Sequence, residues 1–277
     1  MNRLLLSEVY KLSTTKVWWA LLIPVAVIAF VLGLAGAAIA GLSTVVEDAG
    51  LTPALALTMP ISMEQTTVFA AVVGLIGGAG EFRHRTITTT YLTGVSRGSV
   101  LAAKAIVHAG LGLVYGVVTA VFCAAGALLN SGTNSFPSTA DTLAIAAAGV
   151  VGVMAWCVLG VGIGVLITNQ IAVLVVVLVY LLFVEGLIGL VVGTVLGAED
   201  LPKYLPGAGS TALQTAHGIT VFANAFGDEA FGVHDVVEGL VGSSDQLSWW
   251  GGGLLITAYT AAFLAAGWYV GGRRDIT

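Results

Sequence analysis

The stretch VWWALLIPVAVIAFVLGLAGAAIA, residues 17–40, decides the fold class. It runs for 24 residues without a charge, and Trp18 and Trp19 stand at its start. About 20 apolar residues cover the roughly 30 Å of bilayer hydrocarbon, and interfacial aromatics belong at such ends. Further apolar runs cover about residues 63–80, 105–129, 143–167, 171–196 and 249–271. The second is bracketed by Glu64 and Glu81, the third is broken only by His108, and the fifth is interrupted by Glu185. These runs predict a single all-α integral membrane domain of six transmembrane helices.

Composition agrees. Of 277 residues, 57% are hydrophobic and 9% charged, with a mean hydropathy of +0.99. Soluble domains carry about 25% charged residues, and the spans leave no room for a soluble catalytic domain. A cleaved signal peptide fits poorly, because the first apolar run is too long and Glu8 interrupts the basic start. Cys123 and Cys157 fall inside apolar runs without metal-ligand spacing and read as small core residues.

Nine of the ten Lys and Arg residues fall in residues 1–16, 81–104 and the C-terminal tail, leaving only Lys203 elsewhere. The positive-inside rule makes that side cytoplasmic. Both termini are then inside, which requires an even number of spans. Residues 1–16 read as an amphipathic helix in the inner interface, with Leu5, Val9 and Leu12 on one face and Glu8 and Lys11 elsewhere on the wheel. Residues 197–248 form an outer segment with Pro202, Pro206 and a moderately apolar stretch from Thr211 to Phe226. That stretch suits a re-entrant or surface-lying helix.

The polar stretch Gly80-Glu81-Phe82-Arg83-His84-Arg85-Thr86-Ile87, continuing through Arg97 to Lys104, is longer than chain reversal needs. Two readings stand on composition: a docking surface for a cytoplasmic partner, or charge that enforces topology. Together with Val100-Leu101-Ala102-Ala103-Lys104 and the N-terminal Glu8-Val9-Tyr10-Lys11-Leu12, this pattern resembles the permease subunits of the ABC-2-type exporter family. The six-span layout and the long outer segment are also similar, so the resemblance covers nearly the whole chain. It implies a cytoplasmic coupling helix between spans 2 and 3 that docks on a separate ABC ATPase. The contacts would come from Glu81, Arg83, His84, Arg85, Thr86, Ile87 and Thr90, and Arg97 and Lys104 would hold the return into the third span. Ser96 stands where the family often has proline. The resemblance also implies a second permease subunit, the same or related, in a bacterial inner membrane.

No Gly-Lys pair occurs in the chain, so a P-loop of the form Gly-x-x-x-x-Gly-Lys-Ser/Thr is absent. The expectation is a non-enzymatic chain that binds no cofactor itself, with ATP and Mg on the partner ATPase. No nucleic-acid partner is expected. The cargo class is hydrophobic or amphipathic: a drug, an antibiotic or a lipid-like molecule. The rival readings are a non-transporting scaffold or sensor subunit and a membrane-embedded enzyme, and no interfacial cluster of catalytic residues supports the latter.

Three intramembrane groups are candidates for a substrate pathway. Glu185 lies about 21 Å along the fifth helix, where a carboxylate faces either a cavity or a packing partner. Glu64 is placed at the outer rim of the second span and His108 just inside the third, so the two are not expected to meet. His84, His217 and His234 form no metal spacing. Glycines recur at i, i+4 as Gly74/Gly78, Gly112/Gly116, Gly160/Gly164, Gly189/Gly193 and Gly267/Gly271, a spacing that permits close helix crossing.

Overall fold

The computed structural model describes residues 2–42, 54–83, 96–131, 136–167, 169–198, 200–226 and 246–273. Among them there is no strand. The helices are α1 (Asn2–Thr14), α2 (Val17–Leu42), α3 (Leu55–Arg83), α4 (Arg97–Ser131), α5 (Thr139–Leu166), α6, α7 (Pro206–Phe226) and α8 (Trp249–Arg273). The composite helix α6 starts as α-helix at Gln170–Val179 and opens into π-turns at Tyr180–Val184. It returns to α-helix at Glu185–Ile188 and ends in a second π-segment, Gly189–Val195. Six of these helices, α2 to α6 and α8, are long and apolar enough to cross a membrane.

The spans lie where the apolar runs place them, but three begin earlier, α5 by only one turn, at Thr139. Helix α3 starts at Leu55, not near residue 63, and α4 starts at Arg97, not near 105. Polar residues do not end these helices because the helix itself satisfies them. Ser62 Oγ donates to the Thr58 carbonyl at 2.7 Å, and Thr66 Oγ1 to the Ser62 carbonyl at 2.8 Å. Hydropathy marks depth in a bilayer, whereas backbone hydrogen bonding sets where a helix stops.

Helices α3 and α5 form the centre, with α2 and α4 packed to one side and α7 and α8 to the other. The outward faces stay apolar. Along α2, Trp19, Ile23, Val27 and Val31 form an exposed stripe at i, i+4, i+8, i+12 spacing, and Phe183, Leu187 and Leu190 of α6 are equally exposed. Such extended apolar faces suit lipid rather than water. The chain is a multi-pass membrane protein.

In lipid, apolar burial gives little drive for helices to associate, so close van der Waals packing must do more. The α3–α5 seam uses glycine on both sides. Gly74 and Gly78 lie against the Cys157 and Val161 carbonyls, while Gly160 and Gly164 lie against the Ala71 and Leu75 carbonyls. Gly112 and Gly116 bring α4 onto the α5 backbone at Met154 and Val150. The remaining pairs differ. Gly267 lies closely against the Gly162 carbonyl of α5, Gly271 meets only ordinary contacts, and Gly189 of α6 has open space beside it.

A methyl group at Gly74 would overlap the Cys157 carbonyl, which is backbone and cannot rotate away. Gly74→Ala is therefore expected to cost about 1–3 kcal/mol through overpacking, and Gly189→Ala to be neutral or slightly stabilising. Thermal unfolding of the two purified variants in detergent checks the contrast.

Candidate functional site

Polar groups gather at two levels of the bundle, an inner one at the end that carries α1 and an outer one at the opposite end, where α7 begins. The inner level joins α1 to α4. Glu8 Oε2 accepts from Lys104 Nζ at 2.8 Å, and Glu8 Oε1 accepts from Lys11 Nζ at 2.6 Å. Glu8 and Lys104 are 5% and 4% exposed, so this ion pair is effectively out of water. The helical wheel of α1 differs from the expected one. Glu8 is the buried position and Leu12 packs on the core, while Leu6, Val9 and Tyr10 point outward. Hydropathy alone ranks Glu8 as a surface residue, yet it lies four residues from Leu4 and Leu12 and so shares their face.

Lys104 thus reaches α1 from the start of α4. One turn further along α4, His108 Nδ1 pairs with the Lys104 carbonyl at 2.9 Å. Its Nε2 is buried without a partner, against Gly77 of α3. Arg97, at the first turn of α4, donates to the Gly271 carbonyl near the end of α8 at 2.6 Å. The start of α4 is therefore fastened to both the first and the last helix. Tyr115, on the same helix, donates its hydroxyl to the Trp18 carbonyl and ties α4 to α2.

Glu81 and Arg83 fall in the last turn of α3, where only the backbone is described. His84, Arg85, Thr86, Ile87 and Thr90 lie outside the described residues.

The outer level is built around α7. Glu185, the first residue of the short α-helical segment between the π-turns, points at the start of α7. Its Oε1 accepts from the Ala208 backbone N–H at 2.8 Å, and Gly207 lies against the same carboxylate. The first N–H groups of a helix have no intrahelical partner and carry a partial positive charge. Glu185 meets both demands from a neighbouring helix. Its partner lies 23 residues away across a turn containing Gly197 at φ 66, a conformation glycine adopts without strain. Sequence spacing carries no signal of that pairing.

Helix α7 then runs across α3, α5 and α8. Gly252 of α8 lies against the Gly209 carbonyl, and Gly218 of α7 against the Ala56 carbonyl of α3. That carbonyl is free because Pro60, four residues on, has no N–H to donate. At the rim His217 Nε2 pairs with Asp141 Oδ1 at 3.0 Å. Asp141 also takes part in the α5 cap, where Ser138 Oγ accepts its backbone N–H at 3.1 Å.

Glu64 belongs to this outer level but not to its rim. Because α3 starts at Leu55, Glu64 lies roughly 14 Å into the helix. Thr211 of α7 lies beside its carboxylate, and its Oε1 is buried without a hydrogen-bond partner. One turn along α7, Gln214 is fully buried against Gly152 of α5. Its amide donates to Ser210 Oγ at 2.6 Å, and its carbonyl oxygen is also unpartnered. The sequence reading missed Thr211, Gln214 and the His217–Asp141 pair. Polar positions every three to four residues in a stretch bounded by proline were the available signal.

The three candidate pathway groups therefore separate. His108 sits with the inner cluster, and Glu64 and Glu185 meet α7 at different points. Among the described residues no group of three or more His, Cys, Asp or Glu side chains could hold a metal. Comparison with protein-family models and with curated proteins finds no match to this chain.

Two stability effects follow from this geometry. Glu8→Ala removes the carboxylate that the buried Lys104 ammonium meets on α1 and should cost about 3–5 kcal/mol, whereas the apolar pair Glu8→Leu/Lys104→Met should recover most of that loss. Glu185→Ala removes a helix cap and should cost about 1–2 kcal/mol. Glu185→Gln, which keeps one acceptor oxygen, should lose less. Thermal unfolding of the five proteins, wild type included, orders these effects.

Proposed function

We propose that this chain is the transmembrane permease subunit of an ATP-driven exporter, working beside a separate cytoplasmic ABC ATPase. The observation that carries the reading is the bracing of the start of α4. Residues 84–96 connect α3 to α4, and α4 is fixed to α1 through Lys104–Glu8 and to α8 through Arg97–Gly271. A force applied by a partner at the connecting stretch would reach four helices at once. That is the mechanical requirement for a coupling element.

On this reading α1 lies along the inner interface. Its outward Leu6, Val9 and Tyr10 face the lipid headgroup boundary. Both termini are cytoplasmic and the membrane is the bacterial inner membrane. Helix α7 is a re-entrant element on the opposite side. Its capping by Glu185, roughly 22 Å along α6, supports a start within the hydrocarbon, because a helix end there needs a protein partner for its N–H groups. A second permease subunit, identical or related, completes the pathway. ATP and Mg bind the ATPase, and this chain has no hydrolytic role. The cargo is hydrophobic or amphipathic.

The test is charge reversal in the connecting stretch. The double variant Arg83→Glu/Arg85→Glu is expected to weaken co-purification with the ATPase and to lower cargo-stimulated hydrolysis about tenfold or more, as a loss of charge-paired docking does. Wild-type assembly together with wild-type transport would remove the docking role.

A further inference from the structure

Helix α6 changes its hydrogen-bonding register immediately before Glu185. The Glu185 N–H donates to the Tyr180 carbonyl, five residues back, where a regular α-helix uses the fourth. The turn Tyr180–Val184 therefore holds one residue more than an α-turn. Regular geometry returns for Glu185–Ile188. The second π-segment, Gly189–Val195, ends with the Leu196 N–H on the Val191 carbonyl, again five residues back. A four-residue piece of α-helix headed by Glu185 thus lies between two wide turns.

The spare residue decides where Glu185 points. When the first wide turn closes to α and the second takes up the spare residue, the piece between them turns by about 100° and advances by about 1.5 Å, while the ends of α6 stay in place. Val184 then stands where Glu185 stood. The surroundings permit this rotation. Gly186 and Gly189 have open space beside them, and Gly193 meets only Pro202 at an ordinary distance. Phe183, Leu187 and Leu190 are exposed on the apolar surface, so they move among lipid tails. Earlier in α6 the opposite holds, because Val173 and Val177 are buried in the core. The rotation breaks a specific contact at α7. Glu185 Oε1 leaves the Ala208 N–H, which it meets at 2.8 Å, and the carboxylate leaves Gly207. Val184 offers no acceptor to the first N–H groups of α7, which have no partner within their own helix.

We propose that α6 is a two-register helix. It grips α7 through Glu185 in its present register and releases α7 when the spare residue passes to the second wide turn. The grip is the resting register, because Glu185 caps α7 and Val184 cannot. Release frees the start of a helix that packs on α3, α5 and α8. The outer end of the bundle then rearranges without sliding the glycine seam between α3 and α5. Neither register requires an ATPase, so this device and the exporter reading stand or fall separately.

The experiment exchanges two neighbouring side chains. The full chain is placed in lipid nanodiscs, and hydrogen exchange is followed at the Ala208 amide, whose protection reports the cap. Glu185→Val is expected to speed exchange there about tenfold or more, as loss of a helix cap does. Val184→Glu/Glu185→Val is expected to restore protection to within about threefold of wild type, because a one-residue shift of register brings the new carboxylate onto α7. In a helix of fixed register that carboxylate points about 100° away and restores nothing. Deleting Leu182 removes the spare residue. Alone, the deletion should leave the Ala208 amide protected, since Glu185 keeps its place. In the exchanged variant it should abolish the rescue. Exchange in Val184→Glu/Glu185→Val as fast as in Glu185→Val would overturn the proposal. So would failure of the exchanged variant to fold while Glu185→Val folds, or a rescue that survives deletion of Leu182.

Discussion

Everything in this bundle depends on how closely α3 and α5 approach. The seam places the Gly74 and Gly78 backbone against carbonyls of α5, and the Gly160 and Gly164 backbone against carbonyls of α3. A chain in lipid gains little from hiding one apolar helix against another, since the tails are as apolar as leucine. Association must then come from dispersion contacts, which are short-ranged and need the backbones near. Two interlocking glycine pairs supply that closeness without loop or cofactor. Around the seam, α4 uses the same device at Gly112 and Gly116, and Gly33 and Gly126 do so between α2 and α4. Helix α6 lacks it over its outer half, where Gly186 and Gly189 have open space, and there the helix departs from regular α geometry.

The polar side chains then act as fasteners at places where glycine packing does not reach. Each well-placed polar group in the interior satisfies a demand created elsewhere. Glu8 neutralises Lys104 and brings α1 against α4. Glu185 takes up the free N–H groups at the start of α7, which has no covalent neighbour able to do so. The Ala56 carbonyl, released by Pro60, receives Gly218 of the same helix. An ion pair in such a setting adds little net stability over an apolar pair of similar volume. Its effect is on specificity: α1 cannot rotate or slide along α4 without breaking this buried pair.

Much of this architecture was readable from residues alone, and the boundary of what was readable has a physical cause. The six spans follow from uncharged runs, because each is a local property of about 20 neighbours. The start of α8 at Trp249 was placed to the residue, since a tryptophan pair marks it. The early starts of α3 and α4 do not show in hydropathy, because Glu64 brackets the apolar run of α3 and Arg97 reads as part of the polar stretch before α4, although the helix satisfies Thr58 and Ser62 and a distant carbonyl satisfies Arg97. Glu185 was recognised as an intramembrane carboxylate, but its partner was not, and Glu8 was assigned to the wrong face. In both cases the partner lies far along the chain, 23 residues for Glu185 and 96 for Glu8. Local periodicity contains no information at that range. Of the glycine pairs, sequence gave the spacing, and only packing separates the seams at α3–α5 and α4–α5 from the open pair in α6.

The same distinction bears on how motion could pass through the bundle. The inner fasteners and the outer ones share a rigid α3–α5 centre but connect different peripheral helices: α1, α4 and α8 at one end, and α6 and α7 at the other. Close-packed glycine seams resist sliding, because any shift brings backbone against backbone. Movement is therefore directed to the elements with looser contacts. The outer half of α6 is the loosest described part of the bundle, and it carries both π-segments and the Glu185 cap of α7. Displacing it must either break the Ala208 N–H contact or carry α7 with it. Helix α7 in turn touches α3, α5 and α8, so a change at the outer end of α6 has a physical route into the centre that bypasses the inner ion pair.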